Sequence, residues 1–276
     1  MLGKMIKHEF KATSRLLLPL NLLTVALAPI LALLFRLSRG FGENNLVGGI
    51  MAGISMTGFF LLLAAVCVGS ALFIVIRFYR TVATSEAYLT FCLPVKSNHI
   101  LISKFLVGVV WEILSVAVVI GSAYLMLVIQ GSNILNEAFD VFSKITPLIV
   151  AEYGSLAFFF IHIGLIILAS IVAGTLSFFL AICLGQMFNE HRVLASIGMY
   201  VALYTVSQII SAIAVVPFVA KGSAEIVIGS ASAFHVEPDS IPAFGLLTTL
   251  GVIQIVFGVV YFIVCSYILK KKTNVR

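Results

Sequence analysis

Long unbroken apolar runs alternate with short polar stretches along the chain. Six runs, at about 16–35, 49–76, 105–129, 155–184, 193–219 and 243–269, reach the ~20 residues that a membrane-spanning helix needs. None shows the short alternating segments of an outer-membrane barrel strand. The pattern predicts an all-α polytopic membrane protein with six transmembrane helices, and Pro29 predicts a kink in the first. Ahead of that span, Leu2, Met5, Ile6 and Phe10 recur at helical spacing, with Lys4, Lys7, His8 and Lys11 on other faces. Residues 1–15 thus read as a basic amphipathic helix suited to the membrane interface. They do not read as a cleaved signal, since no small-residue cleavage site follows promptly and the next apolar run is long. Between spans lie a Gly- and Asn-containing loop (36–48), a mildly acidic segment (130–154) and a tight polar turn, GQMFNEHR. Residues 220–242 form an excursion bounded by Pro238 and Pro242, with apolar Ile226, Val227 and Ile228 inside it. By its residues alone that stretch reads as a plain extracellular loop.

Composition sharpens this outline by exclusion. Of 276 residues, 61% are apolar and 10% charged. Soluble domains carry about 25% charged residues, so a soluble globular enzyme is excluded, and so is a disordered chain. Six spans leave enough residues for loops but not for a separate catalytic domain. A net charge of +6 in such a chain reflects orientation more than nucleic-acid binding. Alternate segments divide the 17 basic residues unevenly. One side receives Lys4, Lys7, Lys11, Arg15, Arg77, Arg80, Lys96, Lys104, Arg192, Lys270, Lys271, Lys272 and Arg276. The other receives Arg36, Arg39, Lys144 and Lys221, with the acids Glu43, Glu137, Asp140, Glu152, Glu225, Glu237 and Asp239. The positive-inside rule then places both termini in the cytoplasm of a multi-pass cell-membrane protein, and an even span number agrees with their lying on one side.

Candidate chemistry is sparse. Cys67, Cys92, Cys183 and Cys265 fall in spans or on the basic side, so no exported disulfide is expected. There is no CxxC spacing and no HExxH, so no metal site is expected, and an integral-membrane enzyme lacks any nucleophile–base constellation. A G-x-x-x-x-G-K-[ST] phosphate loop is also missing from the sequence.

The most informative stretch joins spans two and three: RFYRTVATSEAYLTFCLPVKSNHILISK, residues 77–104. It is too long for a turn and too apolar for a solvated linker. Thr84 or Ser85 can cap a short helix over Glu86, Ala87, Tyr88, Leu89 and Phe91, which Pro94 then ends. Such a helix fits docking into a partner's groove, with Glu86 offered to a basic residue, and it equally fits resting on lipid.

Glu86, the hydrophobic stretch after it, Leu93-Pro94-Val95, a polar break and Ile100 to Lys104 resemble the same loop in type-2 ATP-binding-cassette (ABC) exporter permeases. The layout is similar over the full length: a basic N-terminal helix, six spans, cytoplasmic termini, and an excursion between spans five and six, for which the resemblance implies short helices dipping into the outer leaflet. The version here, SEAYLTFCLPV, is most similar to small permeases of Gram-positive bacteria, including membrane subunits that export toxin peptides of the phenol-soluble-modulin type. It departs from the broader pattern, in which a basic residue and a Gly often follow the Glu; here Ala87-Tyr88-Leu89 follow. The resemblance implies that Glu86, Ala87, Tyr88, Leu89, Phe91, Leu93 and Pro94 form a coupling helix against a separate cytoplasmic ATPase. It also implies a second permease copy, identical or a related paralogue. ATP and Mg would then be held by the ATPase, with no cofactor in this chain.

Polar residues inside spans are the other candidates. Ser196, Tyr200, Tyr204, Ser207, Gln208 and Ser211 share one face of span five. They read as a pathway or subunit-interface lining, or as interhelical hydrogen-bond glue worth about 0.6 kcal/mol per contact. Glu112 lies eight residues beyond Lys104, about 12 Å along a helix. It reads as a proton or cation site, or as a structural ion pair or a side chain reaching toward the interface. His162 reads as a helix contact. Small residues at Gly49/Gly53, Ala169/Ala173 and Ser170/Gly174 suggest packing faces. The leading expectation is therefore the permease subunit of an ATP-driven exporter of an amphipathic or hydrophobic substrate, with a toxin or antimicrobial peptide the best fit. An ion- or proton-coupled secondary transporter using Glu112 is the alternative, and a regulatory or assembly protein a third.

Overall fold

The computed structural model describes residues 2–41, 45–83, 97–188, 191–221 and 243–271. Among these residues the chain is all-α. Its helices are α1 (Leu2–Arg39), α2 (Leu46–Ala83), α3 (Ser97–Gln130), α4 (Ser132–Tyr153), α5 (Leu156–Gly185), α6 (Arg192–Lys221) and α7 (Ala243–Lys271). Six of the seven, all but α4, are long and apolar enough to cross a membrane. This is the architecture that lipid enforces, because a helix pairs its backbone polar groups within itself.

The apolar runs mark the spans, but the helices are longer. The basic N-terminal segment is helical as expected, yet it is continuous with the first span, and α1 runs unbroken through Pro19 and Pro29. The 77–104 loop also shrinks at both roots: α2 continues to Ala83 and α3 begins at Ser97. Each extension carries a span about 10 Å beyond its apolar run. The acidic 130–154 segment is mostly the amphipathic helix α4, set off by left-handed backbone at Gly131 (φ 110°) and Gly154 (φ 74°). Glycine adopts that backbone without the Cβ clash other residues suffer.

The chain divides into two units, residues 1–141 with 274–276, and residues 142–273. In the first, α1 packs against both α3 and α2. Ala28 and Ala32, fully buried, let α1 approach Phe59 of α2 and Met126 of α3, with Leu31, Phe35 and Ile129 around them. Arg36 donates from Nη1 to the Ile129 carbonyl (3.2 Å) and Arg39 from Nη2 to the Gln130 carbonyl (2.8 Å). These are among the last carbonyls of α3, which have no partner within their own helix. Two of the basic residues on the acidic side of the charge division therefore have a structural task.

In the second unit α5 packs on α7 and α6. Ser155 caps α5, accepting from the Phe158 N–H at 3.2 Å. The α5–α6 turn closes tightly: a Cβ on Gly185 would stand 2.6 Å from the Ser196 backbone. Ala173 packs against Gly258 of α7, whereas a Cβ at Gly49, Gly53 or Gly174 would meet nothing within 4 Å. Of the small residues singled out in the sequence, Ala173 thus meets a neighbouring helix at close range, while the sites beside Gly49, Gly53 and Gly174 are open.

Candidate functional site

Three groups of side chains are candidates, and they begin from Glu9. This acid lies in the first turns of α1, among basic neighbours, and packs against α2 and α3. Its Oε2 accepts from Arg77 Nε at 2.8 Å, and its Oε1 from Lys104 Nζ at 2.6 Å. Arg77 stands near the end of α2 and Lys104 near the start of α3, so one carboxylate ties together both roots of the 77–104 segment. The Lys104 side chain is only 7% exposed and that of Glu9 21%, so the cluster is partly shielded from water. Charge-assisted hydrogen bonds in that setting contribute about 1.5–3 kcal/mol. The next residue, Phe10, stacks on Trp111 of α3 with centroids 5.2 Å apart, adding an aromatic brace between α1 and α3.

The residues this clamp flanks, Glu86, Ala87, Tyr88, Leu89, Phe91, Leu93 and Pro94, lie outside the described residues, as does Cys92. Glu9 itself carried no weight in the sequence, where it disappears among Lys4, Lys7, His8 and Lys11. Its signal is a single acid on a basic helix, four residues before a buried threonine (Thr13, 2% exposed).

Glu112 is the second candidate. It is partly buried on α3 and faces α2, where Ser70 Oγ approaches its Oε2 at 3.5 Å, a long contact. Among the described residues no basic side chain pairs with it; the ion pairs shown belong to Glu9. Cys67, exposed as a free thiol, stands one turn from Ser70 on α2.

The polar face of α6 is the third, and it divides. Ser196 is 8% exposed and turns in against Gly185. Tyr200 stacks on Phe178 of α5 with centroids at 4.5 Å and 11° between the planes. Further along, Tyr204 is 53% exposed, with its ring 6.3 Å from that of Tyr200. Ser207 Oγ donates to the Tyr204 carbonyl at 2.7 Å. Gln208 is exposed and Ser211 half-buried. The first turns of this face pack against α5, with Ser196 Oγ donating within its own helix to the Arg192 carbonyl (2.8 Å), while Tyr204 and Gln208 lie on an open side of the helix. Glu112 belongs to the first unit and the α6 face to the second.

The remaining candidates are structural. His162 Nε2 lies 3.4 Å from Thr248 Oγ1 of α7 and sits among the rings of Tyr153, Phe158 and Phe244. Glu152, at the end of α4, accepts from the Phe244 N–H at 2.7 Å and so caps α7. Burial, and secondarily the Glu152 carboxylate, push the Tyr153 phenol above its usual range, which keeps it neutral. Cys183 and Cys265 are buried thiols with sulfurs 3.4 Å apart between α5 and α7. No group of three or more His, Cys, Asp or Glu side chains is arranged to hold a metal among the described residues.

No protein family, curated protein or solved structure matches this chain.

Proposed function

We propose that this chain is the membrane subunit of an ATP-driven exporter. In this reading it couples hydrolysis by a separate ATPase to export of an amphipathic or hydrophobic substrate, with a toxin or antimicrobial peptide the best-fitting cargo. The reading rests on the coupling-type sequence at Glu86 to Pro94, and the observation that carries it is the clamp beneath that sequence. A segment that receives a push from a partner needs stiff roots. Here α2 and α3 extend toward it as helices, and Glu9 binds Arg77 and Lys104 at its two ends. ATP-driven closure of the partner would move residues 84–96, and the clamped helix ends would pass that movement to α1, α2 and α3 together. The partner ATPase would hold ATP and Mg. A second permease subunit, identical or related, would complete the assembly in the cell membrane with both termini in the cytoplasm.

Affinity purification of the full chain from its native membrane tests the pairing. Under this reading an ATPase with a G-x-x-x-x-G-K-[ST] loop copurifies, and Glu86→Lys combined with Tyr88→Ala removes most of it while the chain still reaches the membrane. Full recovery of the ATPase with the double variant would refute the assignment of Glu86 and Tyr88.

One observation favours the second reading, an ion- or proton-coupled transporter. Glu112 is a partly buried carboxyl with no basic partner among the described residues, the arrangement expected of an ion-binding group. Glu112→Gln separates the two. Transport persists at near wild-type rate if ATP drives it, and falls by about 10²-fold or more, the typical contribution of a proton-transfer group, if Glu112 carries the coupling proton.

A further inference from the structure

We propose that α4 is a membrane-docking element, lying at the membrane–water boundary with its apolar face among the upper acyl chains. The helix is not one of the six spans, and its two faces are sharply divided. Val141, Phe142, Ile145 and Ile149 fall on one side at helical spacing; Asn136, Glu137, Asp140, Ser143 and Lys144 fall on the other. The apolar side is open: Val141 is 55% exposed, Phe142 41% and Ile145 44%, and Phe139 at its margin 67%.

Lipid is the occupant to which the surroundings point. The helix joins the last turn of one span, α3, to the first turn of another, α5, through Gly131 at one end and Gly154-Ser155 at the other. Linkers that short hold it at the level where spans leave the membrane. Its apolar face is also continuous with a span surface, since Phe142 stacks on Phe160 of α5 with centroids 6.4 Å apart. Phe160 and Ile161, 55% and 62% exposed, belong to a helix apolar enough to cross the bilayer. Interfacial helices of this form bury their apolar side about 5–10 Å into the boundary between headgroups and acyl chains. The polar side carries Glu137 and Asp140 against Lys144 and has no polybasic cluster. Docking therefore depends on apolar area and not on anionic headgroups. It is independent of what the protein transports.

Site-directed fluorescence on the full chain in phosphatidylcholine vesicles tests this. Trp111 is the single tryptophan, so Trp111→Phe gives a dark background into which Phe142→Trp, Ile145→Trp and Lys144→Trp are placed one at a time. Should Trp111→Phe fail to fold, Trp111 stays, and its emission, fixed by burial against Phe10, is subtracted. The expected result is that phosphatidylcholine brominated near the headgroup quenches more than half of the emission at positions 142 and 145, while aqueous iodide does not. Lys144→Trp behaves in the opposite way, and added phosphatidylglycerol changes neither. Iodide quenching at 142 and 145 overturns the proposal by placing that face in water. Resistance to both quenchers overturns it by placing another protein surface there.

Discussion

Glu9 illustrates how a residue's neighbours in sequence and in space can differ. In sequence it is a lone acid among four basic side chains. In space it is the shared acceptor for Arg77 and Lys104, which lie 68 and 95 residues away along the chain. Removing a carboxylate beside an almost fully buried lysine costs more than removing a surface ion pair, because less then offsets the lysine's desolvation. Glu9→Gln is therefore expected to destabilise the first unit by about 1–3 kcal/mol, seen as a lower apparent Tm in detergent. A Glu9→Gln/Lys104→Gln double variant should lose clearly less than the sum of the two single changes. Additive losses would mean that the two groups do not act together. Little of this was legible beforehand. Arg77 and Lys104 could be assigned to the basic side by counting charges, but no periodicity identifies which acid they meet. Glu112 was legible as an exception, because a charge within an apolar run stands out; its contact with Ser70 was not.

At the scale of elements, hydropathy located all six spans to within a few residues where they end in polar turns, as α5 and α6 do at Gly185 and Arg192. It failed where helices outrun their apolar stretch. Residues 77–83 and 97–104 contain enough polar side chains to read as loop, yet tertiary anchoring through Glu9 extends the helices across them. Helix α4 was hidden for a related reason: its apolar positions recur at helical spacing but are diluted by Asn, Ser, Asp and Glu, so that mean hydropathy reports only an acidic segment. The α5–α6 hairpin shows what an element junction demands. Gly185 lies so close to the Ser196 backbone that a methyl group has no room, and backbone cannot rotate away as a side chain can. Gly185→Ala should cost about 1–3 kcal/mol of stability, the usual cost of overpacking. Gly174→Ala, where the site is open, should cost nothing measurable by the same thermal assay.

For the whole molecule, six apolar helices establish a multi-pass membrane protein. The proposed exporter role joins three features: a coupling-type sequence, two helical roots beneath it, and an ion cluster holding those roots together. It also accounts for the sparse intramembrane charge, because an ATP-driven permease does not need a relay of ionisable groups to capture its driving force. Transport in proteoliposomes distinguishes the sources of energy most directly. The purified chain, with and without the partner ATPase that the exporter account proposes, is reconstituted and assayed for vectorial movement of a fluorescent amphipathic peptide, under ATP or under an imposed proton gradient. The exporter account predicts movement only when both the ATPase and ATP are present, with the proton gradient adding nothing. Movement driven by the proton gradient through the chain alone would contradict it.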